Sequence, residues 1–285
     1  MSSINQTALV TGASSGIGRT TAIRLAEKDF NVIAVARRLE RLDELSQSHQ
    51  NITPRQVDLS RPEETEAFCR YIESLQAPVS VLVNNAGYST RGVVEEVSQA
   101  KIKRLFEVNV FALIRLTQAC TPGMRRLKKG TIVNLSSIVG RFPFPGGGVY
   151  AASKYAVEGI TDALRIELAP FGIRVVTIRP GAISTGFHEA AAKMTGDLME
   201  RADSPYAPFY QTVKVASEKA FADLDIPGPE LIADLIVNAI LSEKPEAVYT
   251  AGPLSDEYLG RRSELDDEGF YRFMMEKFDL SDLRI

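Results

Sequence analysis

Two kinds of apolar pattern alternate along this chain. Short, β-prone apolar runs at residues 7–11, 31–36, 79–83, 130–135, 173–178 and 247–250 read as strands, and residues 53–57 as one more. Between them, apolar positions at helical spacing predict helices over 19–26, 62–75, 98–124, 151–171 and 229–241, and residues 39–45 read as an exposed, charged helix. Ser60 is placed to cap the helix at 62–75, with Pro62 in its first turn, and Gly172 is a natural stop for the helix before it. The rhythm breaks at residues 186–227, which hold methionines, alanines and the segment Pro205-Tyr206-Ala207-Pro208-Phe209-Tyr210. Residues 254–285 are charged and aromatic and read as a packing or dimer-contact extension. With no internal repeat, low-complexity tract or linker, residues 1–285 form one expected domain.

Composition narrows the class. Hydrophobic residues make up 45% and charged residues 24% of 285, an ordinary soluble mixture. The balance of 33 basic and 36 acidic side chains gives −3, so no basic field favours nucleic acid. Cys69 and Cys120 have neither metal-ligand spacing nor a disulfide framework; they read as buried thiols in a reducing compartment, and no metal site is expected. The N-terminal residues lack a signal-peptide pattern, and no apolar run is long enough to span a bilayer. The expectation is a cytoplasmic protein without a membrane partner.

Candidate chemistry starts with Tyr150 and Lys154, four residues apart and therefore on one face of a helix. A phenol is a poor acid or base at neutral pH unless a nearby cation stabilises its anion, and Lys154 would be that cation. Near the start of the chain, the run at 7–11 ends in Gly12-Ala13-Ser14-Ser15-Gly16-Ile17-Gly18 and then a helical pattern. Strand, glycine turn and helix is the arrangement in which backbone N–H groups at a helix N-terminus meet a phosphate. Glycines allow positive φ and close approach of the backbone to that ligand.

The spacing of this turn resembles the T-G-x-x-x-G-I-G turn of the short-chain dehydrogenase/reductase family. Further matches follow in the family's order: Asn84-Asn85-Ala86-Gly87 to N-N-A-G, Asn134-Leu135-Ser136-Ser137 to N-x-x-S, Tyr150 to Lys154 to Y-x-x-x-K, and Pro180-Gly181-Ala182-Ile183-Ser184-Thr185 to P-G-x-x-x-T. The resemblance spans about residues 7–241 and implies an α/β fold, a doubly wound parallel sheet (Rossmann fold) of about seven strands with helices on both faces. It implies a catalytic set of Asn109, Ser137, Tyr150 and Lys154, with Asn109 holding a water of the proton relay. The cofactor-binding set it implies is Gly12, Ser14, Ser15, Gly16, Ile17, Gly18, Asp58, Leu59, Asn85, Ala86, Gly87, Tyr150, Lys154, Pro180, Gly181, Ile183 and Thr185.

The end of the second strand selects between cofactors. Dinucleotide folds that prefer NAD(H) carry an acid there for the ribose 2′-OH. Here Ala36 is followed by Arg37 and Arg38, which would pair with a 2′-phosphate, so NADP(H) is expected over NAD(H). The implied activity is hydride transfer between the nicotinamide and a carbonyl or secondary alcohol. The Arg141–Gly148 loop with Phe142 and Phe144, together with the Tyr, Phe and Met content of 186–227, the family's substrate lid, points to an apolar or aromatic substrate. The family commonly forms dimers or tetramers, so a homodimer or homotetramer is expected. The alternative is a catalytically silent NADP(H)-binding regulator on the same fold, although such proteins usually lose the Tyr or the Lys. A serine hydrolase would need a histidine base and a G-x-S-x-G elbow; the chain has only His49 and His188 and no such elbow. Nucleotide-sugar epimerisation or dehydration belongs to a longer branch with a different turn. His188 is left out of the site.

Overall fold

The computed structural model describes residues 6–186 and 201–285. Seven parallel strands form one sheet: β1 (Thr7–Thr11), β2 (Asn31–Ala36), β3 (Ile52–Gln56), β4 (Val79–Asn84), β5 (Gly130–Leu135), β6 (Ile173–Pro180) and β7 (Val248–Ala251). Their spatial order is β3-β2-β1-β4-β5-β6-β7. The winding therefore reverses between β1 and β4, which opens a crevice at the carboxyl ends of those two strands.

Helices cover both faces because successive strand residues point to opposite sides. Ala8 and Val10 of β1 face α1 (Gly16–Ala26), α2 (Leu39–Ser48) and α8 (Glu230–Leu241), packing with Leu25, Leu42 and Ile236. Leu9, between them, faces α3 (Pro62–Glu73), α5 (Ala112–Leu127) and α6 (Gly148–Leu168), packing with Phe68, Leu116 and Leu168. Each fully buried Leu on these faces contributes about 1.5–3 kcal/mol of burial free energy. α4 (Gln99–Phe106) precedes α5; α7 (Ala207–Phe221), α9 (Ser255–Glu264) and α10 (Asp267–Lys277) follow α6 outside the sheet layers.

Several expectations are adjusted. The helix expected over 98–124 is interrupted at Glu107–Phe111 by a π-helical turn that holds Asn109. Ser60 does not cap α3: Arg61 is the N-cap residue, and the Ser60 hydroxyl donates to Asp58 Oδ1 at 2.8 Å. α6 starts at Gly148, so Tyr150 and Lys154 lie within its first two turns. Part of the 186–227 stretch, including His188, lies outside the described residues; the rest contains α7. The residues at 254–280 pack inward: Tyr258, Phe270, Met274, Phe278 and Leu280 form one cluster with Ile138, Val139 and Phe142.

Candidate active site

The glycine turn is built on contacts that tolerate no side chain. Gly12 and Gly16 take φ of +69° and +53°, in the left-handed region. Gly18 is a packing position: a Cβ there would stand 2.5 Å from the Gly12 carbonyl oxygen and collide with Asn85 Nδ2. Ser15 is the N-cap residue of α1 and places no side-chain oxygen on the first N–H groups, which leaves them for a ligand. Gly12, Ser14, Ser15, Gly16 and Ile17 line a cavity of about 390 Å³ at the sheet crossover, while Gly18 supports it from behind.

At one end of this cavity Arg38 reaches over the turn. Its Nη2 donates to Ser14 Oγ at 2.9 Å and to Ser15 Oγ at 2.8 Å, and its Nε to Ser14 Oγ at 3.2 Å. Burial, and then the neighbouring charges of Arg41 and Arg37, pull this guanidinium below its ordinary range. Arg37 is exposed and also lines the cavity. Asp58 and Leu59 form the adjoining wall. Burial raises the Asp58 carboxyl, but its bonds from Ser60 and the nearby Arg37 and Arg104 charges outweigh that and leave it below the usual carboxylate range.

The loop after β4 is tied to β1 by one hydroxyl and one amide. Thr11 Oγ1 accepts from Asn85 N at 3.0 Å and Ala86 N at 2.9 Å, while Asn85 Nδ2 donates to the Thr11 carbonyl at 2.8 Å. Below it, Asn84 Nδ2 donates to Asn134 Oδ1 at 2.9 Å, and Asn134 Nδ2 to Thr161 Oγ1 at 2.9 Å, a buried polar ladder across β4, β5 and α6. Asn85, Ala86 and Gly87 line the cavity.

At the other end of the cavity three sequence-predicted residues converge. Ser137 caps the Ile138–Gly140 turn, accepting from Val139 N at 3.3 Å, and its hydroxyl donates to the Pro180 carbonyl at 3.5 Å. Ser137 also hydrogen-bonds the Tyr150 phenol; burial pushes that phenol upward from its ordinary pKa, and the Ser137 bond pulls it down. Lys154 is buried with its Nζ 6.0 Å from the Tyr150 ring centroid, donating to the Leu135 carbonyl at 2.7 Å. Burial lowers its ammonium to about 8, against the Glu158 carboxylate, which raises it. Asn109 lies behind this group. Its Nδ2 donates to the Tyr88 carbonyl and to Ser153 Oγ, both at 3.0 Å, and its Oδ1 accepts from Tyr88 N at 3.1 Å. Both amide hydrogens are thereby used and one Oδ1 lone pair remains. A Cβ on Gly87 would stand 3.2 Å from that oxygen and 3.6 Å from Lys154 Nζ, so Gly87 lies beside both side chains.

Pro180, Gly181, Ile183 and Thr185 complete the wall opposite the glycine turn. A Gly181 Cβ would run into the Pro253 carbonyl oxygen, and a Gly16 Cβ would stand 3.3 Å from Thr185 Cβ, so the two turns face each other closely. Ser184 N donates to the Pro227 carbonyl at 2.8 Å, which joins this turn to the segment before α8. Phe144 lines the cavity, but Phe142 does not: it is fully buried, stacked 5.3 Å from Tyr258. The aromatic wall expected from Phe142 is supplied instead by Tyr258 and Phe278, with Leu254, Val213 and Phe221 beside them. Val213 and Phe221 lie in the 186–227 stretch expected on the substrate side, whereas Leu254, Tyr258 and Phe278 belong to the segment read as a packing or dimer-contact extension, where no motif marks them.

A parallel sheet wound on both faces, with a glycine turn opening into a cavity at its crossover, defines a Rossmann-type dinucleotide-binding fold. The chain belongs to the short chain dehydrogenase family, whose profile matches residues 6–196. Human retinol dehydrogenase 8 is 33% identical over 255 residues, covering 86% of this chain and 81% of the relative. A short-chain dehydrogenase structure from Streptomyces avermitilis matches with a TM-score of 0.78 and 30% identity, covering 99% of this chain and 100% of that one. A short-chain dehydrogenase from Sphingobium yanoikuyae, in complex with NADPH, matches with a TM-score of 0.71 and 27% identity over 98% of this chain and 96% of that one. The protein is thus an oxidoreductase that acts on the CH–OH group of its donors. No helix among the described residues is long and apolar enough to cross a membrane. A nicotinamide dinucleotide fits the residues present, because Gly12 and Gly16 bring backbone to the cavity wall at positive φ, the first N–H groups of α1 carry no side-chain cap, and the cavity is lined from Arg38 to Lys154.

Proposed function

We propose that this protein is an NADP(H)-dependent reductase and dehydrogenase for an apolar or aromatic carbonyl and its secondary alcohol. The observation that carries this reading is the meeting of Ser137, Tyr150 and Lys154 at one end of a cavity whose other end is lined by Arg37 and Arg38. When bound, the nicotinamide supplies the hydride in reduction and takes it in oxidation. Ser137 donates a hydrogen bond that orients the carbonyl oxygen, and Tyr150 delivers the proton to it as the alkoxide develops. The charge of Lys154 lowers the cost of the phenolate that remains, and its Nζ binds the ribose hydroxyls. The remaining acceptor site on Asn109 Oδ1 is where a relay water would donate.

Arg37 and Arg38 support NADP(H), since a 2′-phosphate relieves the crowding of cations around Arg38. The NADPH complex of a related structure agrees in kind. The apolar wall of Phe144, Leu254, Tyr258 and Phe278 supports an apolar substrate, as does the retinol in the name of one relative. Residues 1–285 are read as a single domain of a cytoplasmic homodimer or homotetramer.

The test follows NADPH oxidation against aldehydes, ketones and quinones, with NADH as control. Turnover of apolar carbonyls with NADPH is expected, and Tyr150→Phe should abolish it while cofactor binding persists. Retained turnover in that variant overturns the mechanism. Binding of NADPH without turnover on any carbonyl class shifts the reading to a regulator.

A further inference from the structure

One turn of α6 beyond Lys154, Glu158 is 4% exposed, and both of its oxygens are taken by Arg179 at 2.9 and 2.7 Å. Every other ion pair among the described residues keeps at least one side chain well exposed. Removing two charges from water is costly, and apolar replacements of such pairs are often neutral or stabilising, so stability alone is a weak reason for this one. Its location supplies a better reason. Arg179 immediately precedes Pro180, whose carbonyl accepts the Ser137 hydroxyl. Gly140, at the end of the turn that Ser137 caps, is so close that a Cβ there would stand 3.0 Å from Glu158 Cγ. Glu158 therefore sits on the helix that carries Tyr150 and Lys154 and meets both the Ser137 turn, at Gly140, and the Pro180 turn, through Arg179.

We infer that Glu158 and Arg179 are positioning residues of the catalytic centre: the bidentate pair locks α6 to β6 and sets the charge felt by Lys154. This rests on the proposed roles of Tyr150 and Lys154. Besides Lys154, the charged and titratable groups on α6 and the elements packed against it are Tyr150, Tyr155, Glu158, Asp162, Arg165 and Glu167 on α6, Lys101, Lys103 and Arg104 on α4, Glu107 on the π-helical turn, Arg141 after the Ser137 turn, and Arg174 and Arg179 on β6. Of these, Glu158 is the charge that raises Lys154, and Arg179 is the partner that offsets Glu158.

The two partners should then act on Lys154 with opposite sign. Glu158→Gln removes an anion and exposes Lys154 to Arg179, so its ammonium loses its proton at lower pH. Arg179→Gln leaves the Glu158 anion uncompensated, so the proton is held to higher pH. The experiment records kcat against pH for carbonyl reduction by NADPH in the parent, both single variants and the double variant. The basic limb is expected to move down by about half to one pH unit in the first variant and up by a similar amount in the second. It is expected to return near the parent in the double variant.

Limbs that stay put, or that move in the same direction, would overturn the inference and reduce the pair to packing. If Arg179→Gln does not fold, Glu158→Asp carries the test. It keeps the charge and should shift the limb by less than half as much as Glu158→Gln; an equal shift overturns the inference. A parent enzyme without turnover, or one indifferent to Tyr150→Phe, would sink the proposed function instead, so the two failures are distinct.

Discussion

Asn109 pairs with the backbone of Tyr88 as one strand pairs with another, donating to its carbonyl at 3.0 Å and accepting from its N–H at 3.1 Å. Asn109 is buried within the π-helical turn at Glu107–Phe111, and such turns are uncommon and frequently found at functional sites. Asn109→Leu leaves the Tyr88 groups without these partners. The expected result is a loss of about 2–3 kcal/mol in urea unfolding together with most of the turnover. Full activity at reduced stability would confine Asn109 to a structural role.

Gly18→Ala and Gly159→Ala separate close packing from helix propensity. The first puts a Cβ 2.5 Å from the Gly12 carbonyl oxygen, while the second meets nothing within 4 Å on α6. Gly18→Ala should cost about 1–3 kcal/mol through overpacking and weaken NADPH at least tenfold, read by fluorescence titration. Gly159→Ala should stabilise by about 0.5–1 kcal/mol with unchanged cofactor affinity. Equal behaviour of the two would refute the cradle.

Arg37 and Arg38 should differ. Arg38 also holds Ser14 and Ser15 at the glycine turn, so Arg38→Ala should weaken both NADPH and NADH. The side chain of Arg37 is exposed, and Arg37→Ala should weaken NADPH by about 10- to 100-fold and leave NADH nearly unchanged. Dissociation constants for both cofactors check this, and equal losses for Arg37→Ala would remove its 2′-phosphate role.

Glu96 fastens α7 over the cavity. Ser204 Oγ and Tyr210 Oη each donate to one of its oxygens at 2.6 Å, and these bonds, Ser204 first, hold its carboxyl below the ordinary range. A carboxyl lowered on folding lends stability above its unfolded pKa, about 4.3, and loses it as pH falls through the lower folded value. Hydrogen exchange of the α7 amides should therefore accelerate below about pH 4, and Glu96→Gln should show the same acceleration at pH 7. Exchange unaffected by either change would show that α7 is held by its apolar contacts alone.

What could be read from sequence followed from local rules. β1, β2 and β5 match their expected bounds residue for residue, since five or six β-prone residues ended by Gly12, Arg37 and the Ser136-Ser137 pair leave little freedom. The order of motifs likewise located Ser137, Tyr150 and Lys154 around one cavity. The rest depends on which of several available partners a side chain meets. Whether Ser60 caps a helix or bonds Asp58, whether Phe142 faces a ligand or stacks on Tyr258, and where Arg179 finds its carboxylate are decided by residues from 2 to 116 positions away. Spacing carries no record of those encounters. The π-helical turn was hidden for another reason: a single widened turn inside a long apolar helical stretch carries no residue-type signature of its own.

The wall formed by Leu254, Tyr258 and Phe278 comes from the opposite end of the chain to the glycine turn. The two walls of the cavity are therefore encoded at opposite ends of the gene, and because the 254–280 segment packs on Ile138, Val139 and Phe142, an exchange of that segment between relatives would have to carry those three partners with it.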